Sequence, residues 1–323
     1  IKGPDAAELL NRVYTNAWLK LPIGKARYGV MLREDGIVMD DGTTTRISEN
    51  HYHMTTTTAQ AANVLSHLEY YLQLVWPELN VNVVSTTEQW AGAAIAGPKS
   101  REILQRLSNQ DLSNKNWPFM RSGNLSIVGV SCLALRISYT GDLGWEIYCE
   151  ASKQRVVYEA LVKEAVNEQG GPVGSRALMS LRIEKGYGSW SREYSPEVWP
   201  HECGLDKLCK LDKEFLNKGE LEKNLKINPR ESLMLIHLNE EDCSLSNADA
   251  TGGEPVFKDG KGLGRITSGA YGHTVGMSLA LGYLRDVSPG DDVEVMVLGQ
   301  PHRAVSYTHL RAHETRHDLV CRL

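Results

Sequence analysis

Apolar residues recur at helical spacing in the first stretch, AAELLNRV, where Leu9, Leu10 and Val13 share one face. Asp5 stands just before it, where a carboxylate caps a helix. The pattern then changes to period two. Tyr28–Leu32, Gly36–Met39, Thr43–Ile47 and His51–Thr55 read as short strands, with Asp35-Gly36 and Asp41-Gly42 as the turns of antiparallel hairpins. Helical spacing returns over 58–75 through Ala62, Leu65, Leu68, Tyr71 and Leu72, and stops before Pro77. Pro98 opens a further helix, KSREILQRL. A strand pair around 125–149 leads into a helix over 151–168 that ends at Gly170-Gly171, and another follows near 174–184. Beyond Pro229 the runs SLMLIHL, GRITSG, SLALGYL and VEVMV are short strands between glycine turns, a second, β-dominated unit.

Composition narrows the class. A chain of 323 residues with 41% hydrophobic and 23% charged positions is an ordinary globular protein of about two domains. No apolar run reaches the ~18 residues of a membrane span, and a net charge of −5 gives no basic surface for nucleic acid. Six cysteines without CxxC spacing point away from a disulfide framework or a structural zinc site, and toward a reducing, cytoplasmic setting. The chain opens on Ile1 with no signal-peptide pattern, and sequence upstream of it is expected. The end has a different character. VSYTHLRAHETRHDLVCRL, 305–323, carries three of the ten histidines and no core pattern, and resembles translated sequencing adapter. The expected division is therefore 1–228, 229–304 and a non-native tail, 305–323.

Candidate chemistry lies in three clusters. Asp40-Asp41 follows an apolar strand; the pair either caps a turn or places one carboxylate in a cleft, where it stabilises a cation or takes a proton. In SYTGDLGWEIY, Gly141 and Gly144 make a tight turn and Glu146 falls among Trp145, Ile147 and Tyr148. A carboxylate there either faces solvent or needs partners, such as the two parallel N–H donors of a pterin. LRIEKGYGSWSREY gathers Arg182, Lys185 and Arg192 with three aromatic rings, a combination suited to a flat heterocycle with an anionic tail. Other motifs carry less. Gly260-x-Gly262-x-Gly264 reads as a hairpin turn, because it lacks the strand-to-helix setting of a dinucleotide fingerprint. His51 and His53 share a strand face without a third ligand, and His201-Glu202-Cys203 points its neighbours apart.

Taken together, these segments resemble the aminomethyltransferase, or glycine cleavage T protein, family. YTNAWLKLPIGKARYGVMLREDGIVMDDG and HYHMTTTTAQAANVLSHLEYYLQLVWPEL are similar to the folate-binding C-terminal part of sarcosine oxidase alpha subunits. SYTGDLGWEIY and LRIEKGYGSWSREY look like dimethylglycine oxidases. The resemblance spans 1 to about 304 and implies an α+β fold of antiparallel sheets and packed helices, followed by a small C-terminal β-barrel. It implies tetrahydrofolate as cofactor, with FAD or NAD only in an upstream domain. Its acidic pair places Asp41 at the reactive folate nitrogens, and its Y-x-G-x-x-G-x-E motif makes Tyr139 and Glu146 folate-binding. Tyr187 joins them, and Arg176 and Arg192 are the candidates for the glutamate tail, since Leu178 occupies the position of the family's usual arginine. The implied activity is capture of an oxidised N-methyl carbon, delivered as a methylamine-derived iminium, as 5,10-methylenetetrahydrofolate, with other oxidase subunits as partners. The alternatives are a standalone aminomethyl- or methyltransferase, including a dimethylsulfoniopropionate demethylase-like enzyme, and a folate-binding scaffold without chemistry.

Overall fold

Leu9, Leu10 and Val13 do share a buried face, on helix α1 (Ala6–Val13), but Asp5 caps nothing: its carboxylate accepts the Asn80 amide at 2.8 Å instead. The computed structural model describes residues 1–239 and 248–307. After α1, strands β1 (Lys25–Leu32), β2 (Val38–Ser48) and β3 (His51–Met54) form an antiparallel sheet in that order. The turn at Asp35-Gly36 joins β1 to β2. The second Asp-Gly pair makes no turn: Asp41 and Gly42 run straight through β2, opposite Val30 and Gly29. Neither a turn nor a cap explains the acidic pair, therefore. A Cβ on Gly42 would stand 2.1 Å from the Thr55 carbonyl oxygen, so only glycine lets the chain after β3 lie against the strand here.

Helix α2 (Ala61–Tyr70), extended by a π turn at Tyr71–Val75, covers one face of this sheet. Tyr14, Trp18, Met31, Tyr52, Val64 and Leu68 fill the space between. Strand β4 (Trp90–Ala96) and helix α3 (Ser100–Leu107) precede the hairpin of β5 (Ser122–Ile127) and β6 (Val130–Leu135); β7 (Gly144–Glu150) completes a second antiparallel sheet, ordered β4-β7-β6-β5. Alternation on β7 decides its faces. Trp145, Ile147 and Cys149 enter a core with Leu104 of α3 and with Val157 and Leu161 of helix α4 (Gln154–Asn167). Glu146 and Tyr148 take the opposite face, where Leu133, Leu135 and Tyr148 gather near Ala26 of β1. The two sheets thus meet across the residues of interest.

Helix α5 (Ser175–Ile183), a long loop and helix α6 (Lys218–Asn224) lead into the C-terminal barrel. Strands β8 (Ser232–Leu238), β9 (Pro255–Lys258), β10 (Lys261–Gly272), β11 (Met277–Leu284), β12 (Asp292–Val297) and β13 (Gln300–Tyr307) close in the order β10-β11-β8-β13-β12-β9. The hairpin at Asp259-Gly260 accounts for the glycine run. Strand β13 also moves one boundary. It continues past Ala304, pairing Val305, Ser306 and Tyr307 with His237, Ile236 and Leu235. Ser306 is fully buried and its hydroxyl donates to the Ser288 carbonyl at 2.8 Å. Val305–Tyr307 are barrel, not tail; residues 308–323 lie outside the described residues. No helix is long and apolar enough to cross a membrane among the described residues.

Candidate functional site

Asp40 and Asp41 are neighbours on β2, so their side chains leave opposite faces of the sheet. Asp40 is sealed off at 1% exposure and accepts the Thr57 amide at 3.3 Å. Burial, with the Asp41 charge adding to it, pushes its carboxyl up to about 7. Asp41 looks toward the loop after α5. One of its oxygens accepts a hydrogen bond from the Tyr28 hydroxyl, and the other, Oδ1, is buried with no hydrogen-bond partner among the described residues. Burial raises this carboxyl too, against the Tyr28 bond and the nearby Thr57 hydroxyl, which lower it.

Three tyrosines surround Asp41. The Tyr28, Tyr139 and Tyr194 hydroxyls are all pushed up, mainly by burial, with the Asp41 charge contributing to each. Tyr139 sits in the β6–β7 loop and donates to the Gly188 carbonyl at 2.8 Å, and its ring lies 6.5 Å from that of Tyr187 at 23°. Gly188 has no room for a side chain, since a Cβ would stand 2.4 Å from the Tyr194 ring.

The other end of the same loop holds Glu146. It accepts from Tyr148, two residues along the same face, at 2.7 Å, and burial raises its carboxyl despite that bond. His53 of β3 packs on Tyr148 at 5.3 Å between ring centroids and on Trp90 at 5.8 Å. Burial lowers its imidazole to about 4, so the ring is neutral near pH 7. No hydrogen bond links Glu146 to Asp41 among the described residues.

The structure therefore sets Tyr139 near Asp41 and its ring beside that of Tyr187, and carries Glu146 on β7, just past the loop that holds Tyr139. The two arginines stand apart. Arg176 is exposed in the first turn of α5 and makes no hydrogen bond or ion pair among the described residues. Arg192 is exposed beside the barrel, with the Thr251 and Thr267 carbonyls at 3.4 and 3.3 Å, in a cleft it shares with Trp190, Gly252 and Arg265. Sequence reasoning gave no role to Tyr28, named Tyr148 only as a neighbour of Glu146 and counted Tyr194 only as one of three aromatic rings. Tyr148 was within reach, because residues two apart on a strand share a face; Tyr28 needed the β1–β2 register, and Tyr194 the path of a loop.

Chemically, two half-buried carboxylates with raised proton affinity, each bonded by a tyrosine, are acceptors in search of donors, and the free Asp41 oxygen is itself buried. A buried acceptor left unpaired costs about 1–3 kcal/mol. Tetrahydrofolate has the matching inventory: N–H donors on its pterin ring and an amine that becomes cationic when it takes up a carbon. The orphaned Asp41 oxygen and the singly bonded Glu146 fit that group.

Comparison with known proteins gives the family. The GCVT N-terminal domain matches residues 1–213, and the glycine cleavage T-protein C-terminal barrel domain matches 235–309. The chain is similar to the sarcosine oxidase subunit alpha of Rhizobium meliloti, at 40% identity over 310 residues, covering 94% of this chain and 31% of that protein. It is similar to the aminomethyltransferase of Thermotoga neapolitana, at 32% identity over 301 residues, covering 93% of this chain and 79% of that one. Its fold matches the glycine cleavage system aminomethyltransferase T from Bartonella henselae with a TM-score of 0.83 at 21% identity, over 96% of this chain and 81% of that chain. The chain spans about a third of the length of the sarcosine oxidase subunit it matches.

Proposed function

The chain belongs to the glycine cleavage T-protein family of folate-dependent aminomethyltransferases, and from that premise we propose that it is the one-carbon capture module of a sarcosine or dimethylglycine oxidative demethylase. The observation that carries the reading is the buried, unpartnered oxygen of Asp41, on a carboxylate bonded to Tyr28 and close enough to Tyr139 and Tyr194 to act on them. The higher identity to a sarcosine oxidase alpha subunit than to an aminomethyltransferase supports the demethylase setting.

Tetrahydrofolate, when bound, supplies the amines that accept a carbon at the formaldehyde oxidation level. Glu146, held by Tyr148, would accept the pterin N–H donors and hold the ring. Asp41, held by Tyr28, would have a free oxygen for the reacting amine and would offset positive charge as it develops, an electrostatic contribution. Tyr139, Tyr187 and Tyr194 wall the site and keep water from the carbon, which would otherwise leave as formaldehyde. Arg192, beside the barrel cleft, is the better placed of the two arginines for an anionic tail, because it is already flanked by polar groups. Oxidation of the amine belongs to a flavin or nicotinamide domain elsewhere in the whole protein, and partner subunits to the assembly. A standalone aminomethyltransferase is the second reading, favoured by the 79% coverage of the Thermotoga enzyme.

Titration calorimetry of the chain with tetrahydrofolate tests the site. Binding is expected without flavin, and Glu146→Ala is expected to weaken it by about 1.5–3 kcal/mol, the scale of a charge-assisted hydrogen bond. No binding by the parent chain contradicts the folate reading, and unchanged affinity in the variant removes Glu146 from the site.

A further inference from the structure

The loop that carries Tyr187, Gly188 and Tyr194 is held from behind by a charge pair that the proposed reaction does not use. Arg182, near the end of α5, and Glu193 both have fully buried side chains and meet at 2.7 Å. One Glu193 oxygen accepts from Arg182 Nη1 and, at 2.8 Å, from the Ser189 amide. The other accepts from the Thr267 hydroxyl at 2.6 Å and from the Ser268 hydroxyl. Arg182 also donates to the Tyr187 carbonyl at 2.8 Å and to Ser268 Oγ at 2.6 Å, while the Tyr283 hydroxyl donates to the Glu193 main-chain carbonyl at 2.5 Å.

Two features of this network exceed what stability asks for. A buried ion pair is a poor stabiliser, since desolvation offsets the attraction and an apolar pair often serves as well. Its hydrogen bonds also bracket one residue. The pair ties the Tyr187 carbonyl and the Ser189 amide, on either side of Gly188, whose own carbonyl receives the Tyr139 hydroxyl at 2.8 Å. The anchoring groups on the far side, Thr267 and Ser268 of β10 and Tyr283 of β11, all belong to the barrel.

We infer that Arg182 and Glu193 are positioning residues through which the C-terminal barrel sets the Gly188–Tyr139 contact, and with it the tyrosine wall beside Asp41. The barrel is then a working part of the site, although among the described residues it contributes no side chain to the Asp41 cluster. The ligand in this inference rests on the folate reading; the placement of the loop does not.

The test uses the full chain and three measurements: thermal melting, hydrogen exchange of the 186–190 amides by mass spectrometry, and tetrahydrofolate affinity. Replacing the pair together by Arg182→Met and Glu193→Leu is expected to leave a folded protein. The 186–190 amides should then exchange at least about tenfold faster, and affinity should fall about tenfold or more, as for a lost charge-assisted bond. A folded double variant with parental exchange and affinity overturns the inference. If the double variant does not fold, Thr267→Val decides, because it keeps the pair and removes one barrel anchor. Faster exchange at 186–190 with an unchanged Tm supports positioning, with Thr267→Ser restoring the parental rate; unchanged exchange overturns it. Should the parental chain bind no tetrahydrofolate, the folate reading fails while the exchange result still decides the positioning role.

Discussion

Asp40 and Asp41 are adjacent in sequence and opposite in surroundings, and burial, more than mutual repulsion, separates them. An argument from sequence sees two like charges and expects each to raise the other's proton affinity. The larger effect, burial, depends on which face of β2 each side chain takes, and the misread turn at Asp41-Gly42 hid that face. Their pH behaviour follows. The Asp40 carboxyl moves from an ordinary 3.8 to about 7 on folding, so the folded chain holds that proton more tightly than the unfolded one. Its contribution to stability is whole below about 4 and is lost as the pH rises to about 7. Asp40→Asn mimics the protonated form and can still accept the Thr57 amide. Its Tm should exceed the parental Tm at pH 8 and converge with it near pH 4; an equal difference at both pH values contradicts the burial of this charge. The Glu146 cluster was the more legible of the two, because Trp145 and Ile147 alternate with Glu146 and Tyr148 in plain view.

Among the elements, those with a strong period came through the sequence well: α1, α2, α3 and α4, and the barrel strands β8, β10, β11 and β12. What failed was local chemistry overridden by longer contacts. Asp-Gly makes a turn at 35–36 and a flat strand at 41–42, because Thr55 presses on the second glycine and no hairpin partner follows the second pair. Strand β13 shows the same effect at its end. Val305–Tyr307 carry no pattern of their own, yet β8 and the Ser288 carbonyl hold them in register. Ending the chain at Ala304 should therefore lower Tm by at least about 3 °C, the scale of one lost kcal/mol in a chain this size. If the part of the proposed foreign tail (305–323) that follows β13 is foreign, ending the chain at Tyr307 should leave Tm unchanged. Equal melting of the two truncations contradicts the role given to those strand residues.

At the scale of the whole molecule, the candidate site is made by convergence. Asp41 comes from the first sheet, Glu146 from the second and the tyrosine loop from the chain between α5 and the barrel, held by β10 and β11. Motifs made the individual residues legible; contacts such as Glu193 with Thr267, 74 positions apart, were not, since neither partner carries a local signal. The central claim is that Asp41 acts on the carbon being transferred while Glu146 holds the folate. It is tested most directly in the complete protein proposed to carry this module, assayed with sarcosine or dimethylglycine and tetrahydrofolate. The measurement is the ratio of 5,10-methylenetetrahydrofolate to free formaldehyde in the Asp41→Asn and Asp40→Asn variants. Asp41→Asn should keep amine oxidation and folate affinity while carbon transfer falls about 10²–10³-fold, the scale of one electrostatic contributor, and product shifts to formaldehyde. Asp40→Asn should keep the parental ratio. A parental ratio in Asp41→Asn, or the shift to formaldehyde appearing in Asp40→Asn instead, would contradict the account.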